Sequence, residues 1–242
     1  MRELRLIPVS GMPEIAEGDD LAALIAERVR LEDGDVVVVA HKAVSKAEGR
    51  VVRLDDVDAS PRAVELAADQ DPRRLEVILR EAARIVRTRP PLVIAETRHG
   101  FVCASAGVDA SNAPAAGMLV LLPDDPDASA ARIRARLREH CDRVVGVIVS
   151  DSFGRPFRRG TTDVAVGAAG VEVLRDLRGR RDRNGYELHS TQIAVADEVA
   201  AAAELVRGKL DRVPVVVARG VDVAGEGTAR DLVMPREQSL FA

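Results

Sequence analysis

The chain has 242 residues, enough for one large α/β domain or two small ones intimately joined. Only 2% of the residues are aromatic, so the 47% that are hydrophobic must build a core of Val, Leu, Ile and Ala. A formal charge of −4 and the scarcity of stacking aromatics argue against a nucleic-acid partner.

In chain order, "LRLIPV" reads as a first strand, closed by the turn-forming "SGMPE". "LAALIAERV" follows as a helix with Asp19 or Asp20 as its N-cap. "DVVVVA" is a β-branched run, expected as a strand buried on both faces, with "HKAVSK" as a polar loop at its end. Residues 61 to 88 read as helical, with Leu75, Ile78, Leu79, Ala82, Ile85 and Val86 on one stripe, a start at Pro72 and a stop at "RPP". "LVIAE" and "GFVCASAG" are short strands around the turn "TRHG". "GVDASN" is a loop, and "MLVLLP" another strand.

A helix is expected over 127–140, capped by Asp127 or Ser129, with Ala130, Ile133 and Leu137 inward. Arg132, Arg134, Arg136 and Arg138 form its solvated face. "RVVGVIVS" is a buried strand, and the polar loop "DSFGRPFRRG" follows it before the strand "GTTDVAVG". A further helix covers "STQIAVADEVAAAAELVRGK", with Ile193, Ala196, Val199, Ala200, Ala203 and Val206 inward, and "VPVVVARG" is the last strand. Strands and helices alternate irregularly. The expected class is therefore mixed α/β (α+β), a mixed sheet with flanking helices.

Cys103 and Cys141 stand in no CxxC or Cys/His cluster, so they read as reduced thiols of a cytoplasmic protein rather than zinc ligands. The N-terminal residues lack a signal-peptide run, and no stretch approaches the roughly 20 apolar residues of a membrane span. No GxxxxGK[ST], GxGxxG after a strand, or HExxH occurs. Polar residues at strand ends converge on a crevice in α/β folds. Here they are "SGMPE", "HKAVSK", "GVDASN" and the pair Asp151–Ser152. Asp109, Asp151 and Ser152 are oxygen donors suited to a hard cation, and Lys42 and Lys46 suit a phosphate. Each has a plainer alternative. Asp151–Ser152 could be a helix cap or Asx turn, Asp109 with Asn112 a simple turn, and the lysines surface charges. Arg155, Arg158 and Arg159 could bind an anion or pair with another subunit. His41, His99, His140 and His189 are scattered, and spacing privileges none.

"GMPEIAEGDDL", "HKAVSKAEGR", "ETRHGFVCASAGVDASN", "VIVSDSFGRPFRRGTTDVAVG" and "VPVVVARG" together resemble, in order, the coenzyme F420-0:γ-glutamyl ligase family, over residues about 4 to 220. The resemblance implies an intertwined mixed α/β fold, a homodimer, and a ligase that uses GTP to activate a carboxylate of F420-0 as an acyl phosphate. L-glutamate then captures that intermediate as an amide, releasing GDP and phosphate. One or several glutamates are added, with Mg²⁺ or Mn²⁺ (one or two ions), often with K⁺. It implies a first GTP loop at Gly11, Met12, Pro13 and Glu14 and a second at His41, Lys42 and Lys46. Asn112 is a further GTP contact, and Gly208 and Lys209 lie in a late segment near the phosphates. Asp109, Asp151 and Ser152 match metal-ligand positions. With them, Arg155 and Arg158 are expected to act in catalysis by binding the substrate phosphodiester or the transferring phosphoryl group. Gly154 and Gly160 would turn the backbone around the site.

The sequence departs from the family pattern at several places. His41 stands where many relatives have Ser, Ser105 where Asn is common, Ser152 where Thr is common, and Lys209 where some archaeal relatives place a metal-binding Glu. A protonated lysine cannot ligate, so the second ion is in question. The whole chain, 1–242, is expected as one ligase unit without the C-terminal flavin-reductase-like domain of many actinobacterial relatives. The competing readings are a non-catalytic F420- or nucleotide-binding homologue and a ligase for a different acid or amino acid.

Overall fold

The computed structural model describes residues 3–240. In chain order its elements are β1 (Arg5–Pro8), α1 (Leu21–Ala26), β2 (Val36–Ala40), α2 (His41–Ala47), β3 (Val51–Arg53), α3 (Pro61–Ala67), α4 (Pro72–Glu81), β4 (Ala82–Arg89), β5 (Leu92–Thr97), β6 (Val102–Ala104), β7 (Met118–Val120), α5 (Pro126–Cys141), β8 (Gly146–Arg155), β9 (Arg158–Ala169), β10 (Arg175–Asp176), β11 (Gln192–Ile193), α6 (Val195–Arg207) and β12 (Val215–Arg219).

The central sheet has the order β1-β12-β2-β8-β9. Only β2 and β8 run parallel, with Val36 beside Gly146 and Ala40 beside Ser150. The other neighbours are antiparallel, so the sheet is mixed, as its irregular alternation predicts. Strand alternation sorts the valines between two cores. Val37, Val39, Val147, Val149, Val215 and Val217 pack against Leu21 and Ile25 of α1 and Ile133 and Leu137 of α5. Val36, Val38, Ile148 and Val216 pack against Ala196, Val199, Ala200 and Ala203 of α6. That double burial is what a run like "VVVVA" requires. A third core, with Leu66, Leu75, Ile78, Val93 and Leu119, joins α3 and α4 to the smaller sheets. Among the described residues no helix is long and apolar enough to cross a membrane.

Several boundaries differ from the sequence expectation. The segment 61–88 is not one helix. Ser60 caps α3, Asp71 caps α4 through the Arg73 amide, and the chain then turns extended. Ala82, Ile85 and Val86 lie in β4, which pairs with β5. Their spacing fits a helix, but the inter-strand ladder satisfies the backbone, and β-branched residues suit it. Glu81 marks the switch, held by Arg50 (2.7 Å) and Arg98 (2.8 Å).

"HKAVSK" is helix α2 rather than a loop, because Ala43 and Val44 are buried in the first core. "DSFGRPFRRG" is not a loop either, since β8 runs on to Arg155 and β9 returns from Arg158. The reversal falls at Pro156 and Phe157 (φ +58°), whereas Gly154 has an ordinary φ and Gly160 (φ +83°) lies within β9. Asp125 caps α5 (3.0 Å to the Ala128 amide), not Asp127 or Ser129. Asp127 instead accepts the amides of Ala168 and Ala229, each at 2.8 Å. Gln192 and Ile193 form β11 ahead of α6, and Val206 faces solvent.

Candidate active site

β2 ends at Ala40 beside Ser150, where its parallel neighbour β8 runs on, and a cavity of about 240 Å³ opens at that point. Met12, Pro13 and Glu14 reach it from the loop after β1, and His41, Lys42 and Lys46 from α2. Asn112, Asp151, Ser152, Gly208 and Lys209 complete the expected set that lines it. Stretches separated by a hundred residues and more thus converge, as crevices at strand ends do.

Gly11, Asp109, Arg155 and Arg158 do not line the cavity. Gly11 (φ +74°) shapes the loop, and its carbonyl accepts from Arg28 Nε at 2.9 Å. Asp109 touches the site through Lys42, whose Nζ lies 2.5 Å from Asp109 Oδ2 and 2.6 Å from Ser111 Oγ. The Asx turn that residue types allow is also present, because Asp109 Oδ1 accepts the Ser111 amide at 2.7 Å. Arg155 and Arg158 sit at the far end of the β8–β9 ribbon, where Arg155 Nη2 donates to the Arg159 carbonyl at 2.7 Å.

The lysines and carboxylates are paired. Lys46 Nζ donates to Glu14 Oε1. His41 is buried, and its Nε2 lies 3.2 Å from Asp151 Oδ1, outside hydrogen-bond geometry. Asp151 Oδ1 also accepts the Ser152 amide at 2.8 Å. Burial works to raise the Asp151 carboxyl, but His41, the Ser152 amide and Lys42 together hold it below the usual range. Burial likewise works against Asp109, and the hydrogen bonds from Lys42 and Ser111 bring it down to about 2. Cys103 is the reverse case. Burial, then the Asp151 charge, push its thiol up to about 12, so it is no nucleophile.

Three charged residues among those lining the cavity, Asp163, Glu204 and Arg207, were not singled out by the sequence reading, although Arg207 lies in the late segment 206–212. Asp163 lies opposite Ser152 in the ribbon register. Burial, then the Asp163 charge, raise the Glu204 carboxyl. Signals existed for two of the three. Asp163 is in phase with buried Ala165 on β9, and Arg207 continues the inward stripe Ala196, Ala200, Ala203 of α6.

A family model described as F420-0:Gamma-glutamyl ligase matches residues 11–220. The chain belongs to that family. It is 53% identical over 246 residues to the coenzyme F420:L-glutamate ligase of Methanopyrus kandleri, covering 98% of this chain and 97% of that protein. The protein of the same name from Methanothermobacter thermautotrophicus is 44% identical over 98% of each chain. The one from Methanocaldococcus jannaschii is 42% identical over 100% of this chain and 99% of its own. The loop after β1 from Gly11 on, α2, the Asp109 loop, β8 and the segment after α6 all fall inside the matched span.

The donor set fits a hard divalent cation in kind. Asp151 and Ser152 offer oxygens into the cavity, and Asp109 stands one lysine away. Among the described residues no three His, Cys, Asp or Glu side chains converge as ligands. Mg²⁺ and Mn²⁺ typically take one or two carboxylates and leave other positions to water and phosphate. Lys209 offers a charge at the cavity wall and no ligand.

Proposed function

We propose that the chain joins L-glutamate to coenzyme F420-0, consuming GTP. The observation that carries this reading is the cavity itself. Within a family of γ-glutamyl ligases, most of the residues expected for GTP and metal line one cavity at the end of β2, beside Ser150 of β8. In the reaction, an F420-0 carboxylate oxygen attacks the γ-phosphorus of GTP and the bond to the β–γ bridging oxygen breaks, leaving GDP and an acyl phosphate. The glutamate amine attacks the acyl carbon, loses a proton, and expels phosphate as the amide forms.

The chain's part is positioning and charge neutralisation, which dominate phosphoryl transfer. Lys42 and Lys46, aimed by Asp109 and Glu14, bind nucleotide phosphates. The Met12–Glu14 loop and Asn112 hold the nucleotide, with Gly208 and Lys209 closing the phosphate end. Asp151 and Ser152, with Asp109, hold one or two Mg²⁺ or Mn²⁺ ions. When bound, such an ion supplies further neutralisation of phosphate charge. K⁺ is an additional candidate at the phosphates.

The ribbon supports a homodimer. Among the described residues the backbones of 151–155 and 158–164 pair as strands with each other alone, beyond the end of β2, and Phe157 at the tip is 91% exposed. A two-stranded ribbon gains little stability alone. In a dimer, Arg155 and Arg158 reach the second copy, where they bind an anionic substrate group. The unbridged Cys103 and Cys141 accord with a cytoplasmic enzyme.

The test incubates the protein with GTP, F420-0, L-glutamate and Mn²⁺ or Mg²⁺, beside Asp151→Asn, and weighs the products by mass spectrometry. Glutamate-dependent phosphate release is expected, with a product one or more glutamyl units heavier, lost in the variant. Saturable GTP binding without such a product would overturn the reading in favour of a binding homologue. Turnover only with another acid or amine would reassign the substrate.

A further inference from the structure

The cavity wall includes a buried polar cluster, Ser150, Asp163 and Arg207, to which the reaction above gives no part. Asp163 and Ser150 are almost completely buried, and Arg207, in the last turn of α6, is 6% exposed. Arg207 Nη1 donates to Asp163 Oδ2 at 2.7 Å and to Ser150 Oγ at 2.9 Å. Ser150 Oγ donates to the same Oδ2 at 3.0 Å. Ser152 Oγ lies 2.6 Å from the other oxygen, Oδ1. Ser150 and Ser152 are two apart on β8 and so share a face, and the ribbon register sets Asp163 against it.

Stability does not explain this cluster. Arg207 Nε and Nη2 are buried with no hydrogen-bond partner among the described residues. An ion pair taken out of water with donors left unmet is weak or negative in its contribution to folding. The arrangement makes sense through what it does to Ser152. A carboxylate only accepts, so the single hydroxyl hydrogen of Ser152 is committed to Asp163 Oδ1. Only oxygen lone pairs remain on Ser152 to face the cavity.

We propose that Asp163 and Arg207 are positioning residues that make Ser152 an obligate acceptor, so that its oxygen takes a divalent cation and cannot donate to a phosphate. Arg207 neutralises and anchors Asp163, and Asp163 orients Ser152. The inference rests on the reading that Asp151 and Ser152 hold a cation. It adds two residues, on β9 and α6, that control the geometry of that site without touching the ion.

The experiment measures Mn²⁺ binding to the full chain by electron paramagnetic resonance, without nucleotide or acceptor. Its variants are Ser152→Ala, Asp163→Asn, their combination, Arg207→Lys and Arg207→Met, with thermal melting for each. Losses of outer-sphere partners weaken metal sites about 10- to 100-fold. Asp163→Asn is expected to weaken Mn²⁺ about tenfold or more, because an amide can donate to Ser152 and occupy a lone pair. Ser152→Ala, which leaves the buried pair intact, should match it. The double variant should be little worse than either single, since both act through one oxygen. Arg207→Lys should retain more affinity than Arg207→Met.

Wild-type affinity in folded Asp163→Asn, or additive losses in the double variant, would overturn the inference alone. If Asp163→Asn does not fold, wild-type affinity in Ser152→Ala overturns it equally. A wild-type chain that binds no Mn²⁺ would overturn the cation reading and this inference with it.

Discussion

Lys42 and Asp109 meet at 2.5 Å although 67 residues separate them, and Ser111 Oγ closes the triangle at 2.6 Å from the same ammonium. Lys42 belongs to α2 and lines the cavity, while Asp109 does not. The carboxylate thus aims a lysine at the cavity, besides the part proposed for it in holding a cation. Lys42→Met should lower kcat about a hundredfold, as removal of a charge-stabilising donor does, with a modest fall in melting temperature because the part-buried Asp109 carboxylate loses its partner. Asp109→Asn should lower kcat by a similar order. Steady-state phosphate release checks both, and an unaltered kcat in Lys42→Met would remove the lysine from the reaction.

Asp20 ties α1 to α5 and gives the fold an acid-sensitive contact. Its carboxylate caps α1 through the Ala22 and Ala23 amides (3.0 and 3.1 Å) and accepts from Arg136 at 2.7 Å. Burial opposes the charge, but Arg136, the Ala23 amide and His140 bring the pKa from 3.8 to about 2. A depressed carboxylate stabilises the fold above its unfolded pKa, and that contribution fades as pH falls from about 4 towards 2. The side chain is 35% exposed, so solvent screens much of it. Asp20→Ala should cost about 1 kcal/mol at pH 7, with a smaller difference from wild type near pH 2.5. Urea unfolding at the two pH values measures it.

The two thiols should differ in reactivity. Cys103 is buried and pushed up to about 12, while Cys141 is part-exposed, its thiol raised by burial and eased by Arg143. An aromatic disulfide reagent at pH 8 should modify Cys141 in the native protein and reach Cys103 only after denaturant is added. Modification of both thiols at equal rates in the native state would contradict the packing around Cys103.

Gly167 lets α5 lie directly on β9. A Cβ there would stand 2.2 Å from the Pro126 carbonyl oxygen, a backbone atom that no rotamer change can move. Gly167→Ala should therefore destabilise the chain by about 1–3 kcal/mol. Metal and nucleotide binding should be unaffected in whatever fraction remains folded, because Gly167 lies outside the cavity. Chemical denaturation read beside nucleotide binding separates the two effects.

Much was readable from local pattern. The strand "VVVVA", the stripe Ala130–Ile133–Leu137 of α5 and the Ala-rich stripe of α6 are each decided by periodicity and burial, and each stands where the sequence placed it. Residues 82–89 fell to strand because spacing of three and four is shared by helices and irregular strands, and the partner β5 decides between them. α2 escaped because its polar residues look like a loop until Ala43 and Val44 find the core.

The sequence by itself determined the family, the mixed class and half of the residues lining the cavity, since motif segments and apolar periodicity are local properties of the chain. Only the tertiary structure decided which side chains meet. Asp163, Glu204 and Arg207 join the site through the ribbon register and the end of α6. The same packing carries Arg155 and Arg158 along the ribbon and away from the cavity of their own chain. The physical reason is that a buried charge is tolerable only where distant backbone brings it a partner. Arg207 and Asp163, 44 residues apart, find each other only once β9 and α6 pack on the same sheet.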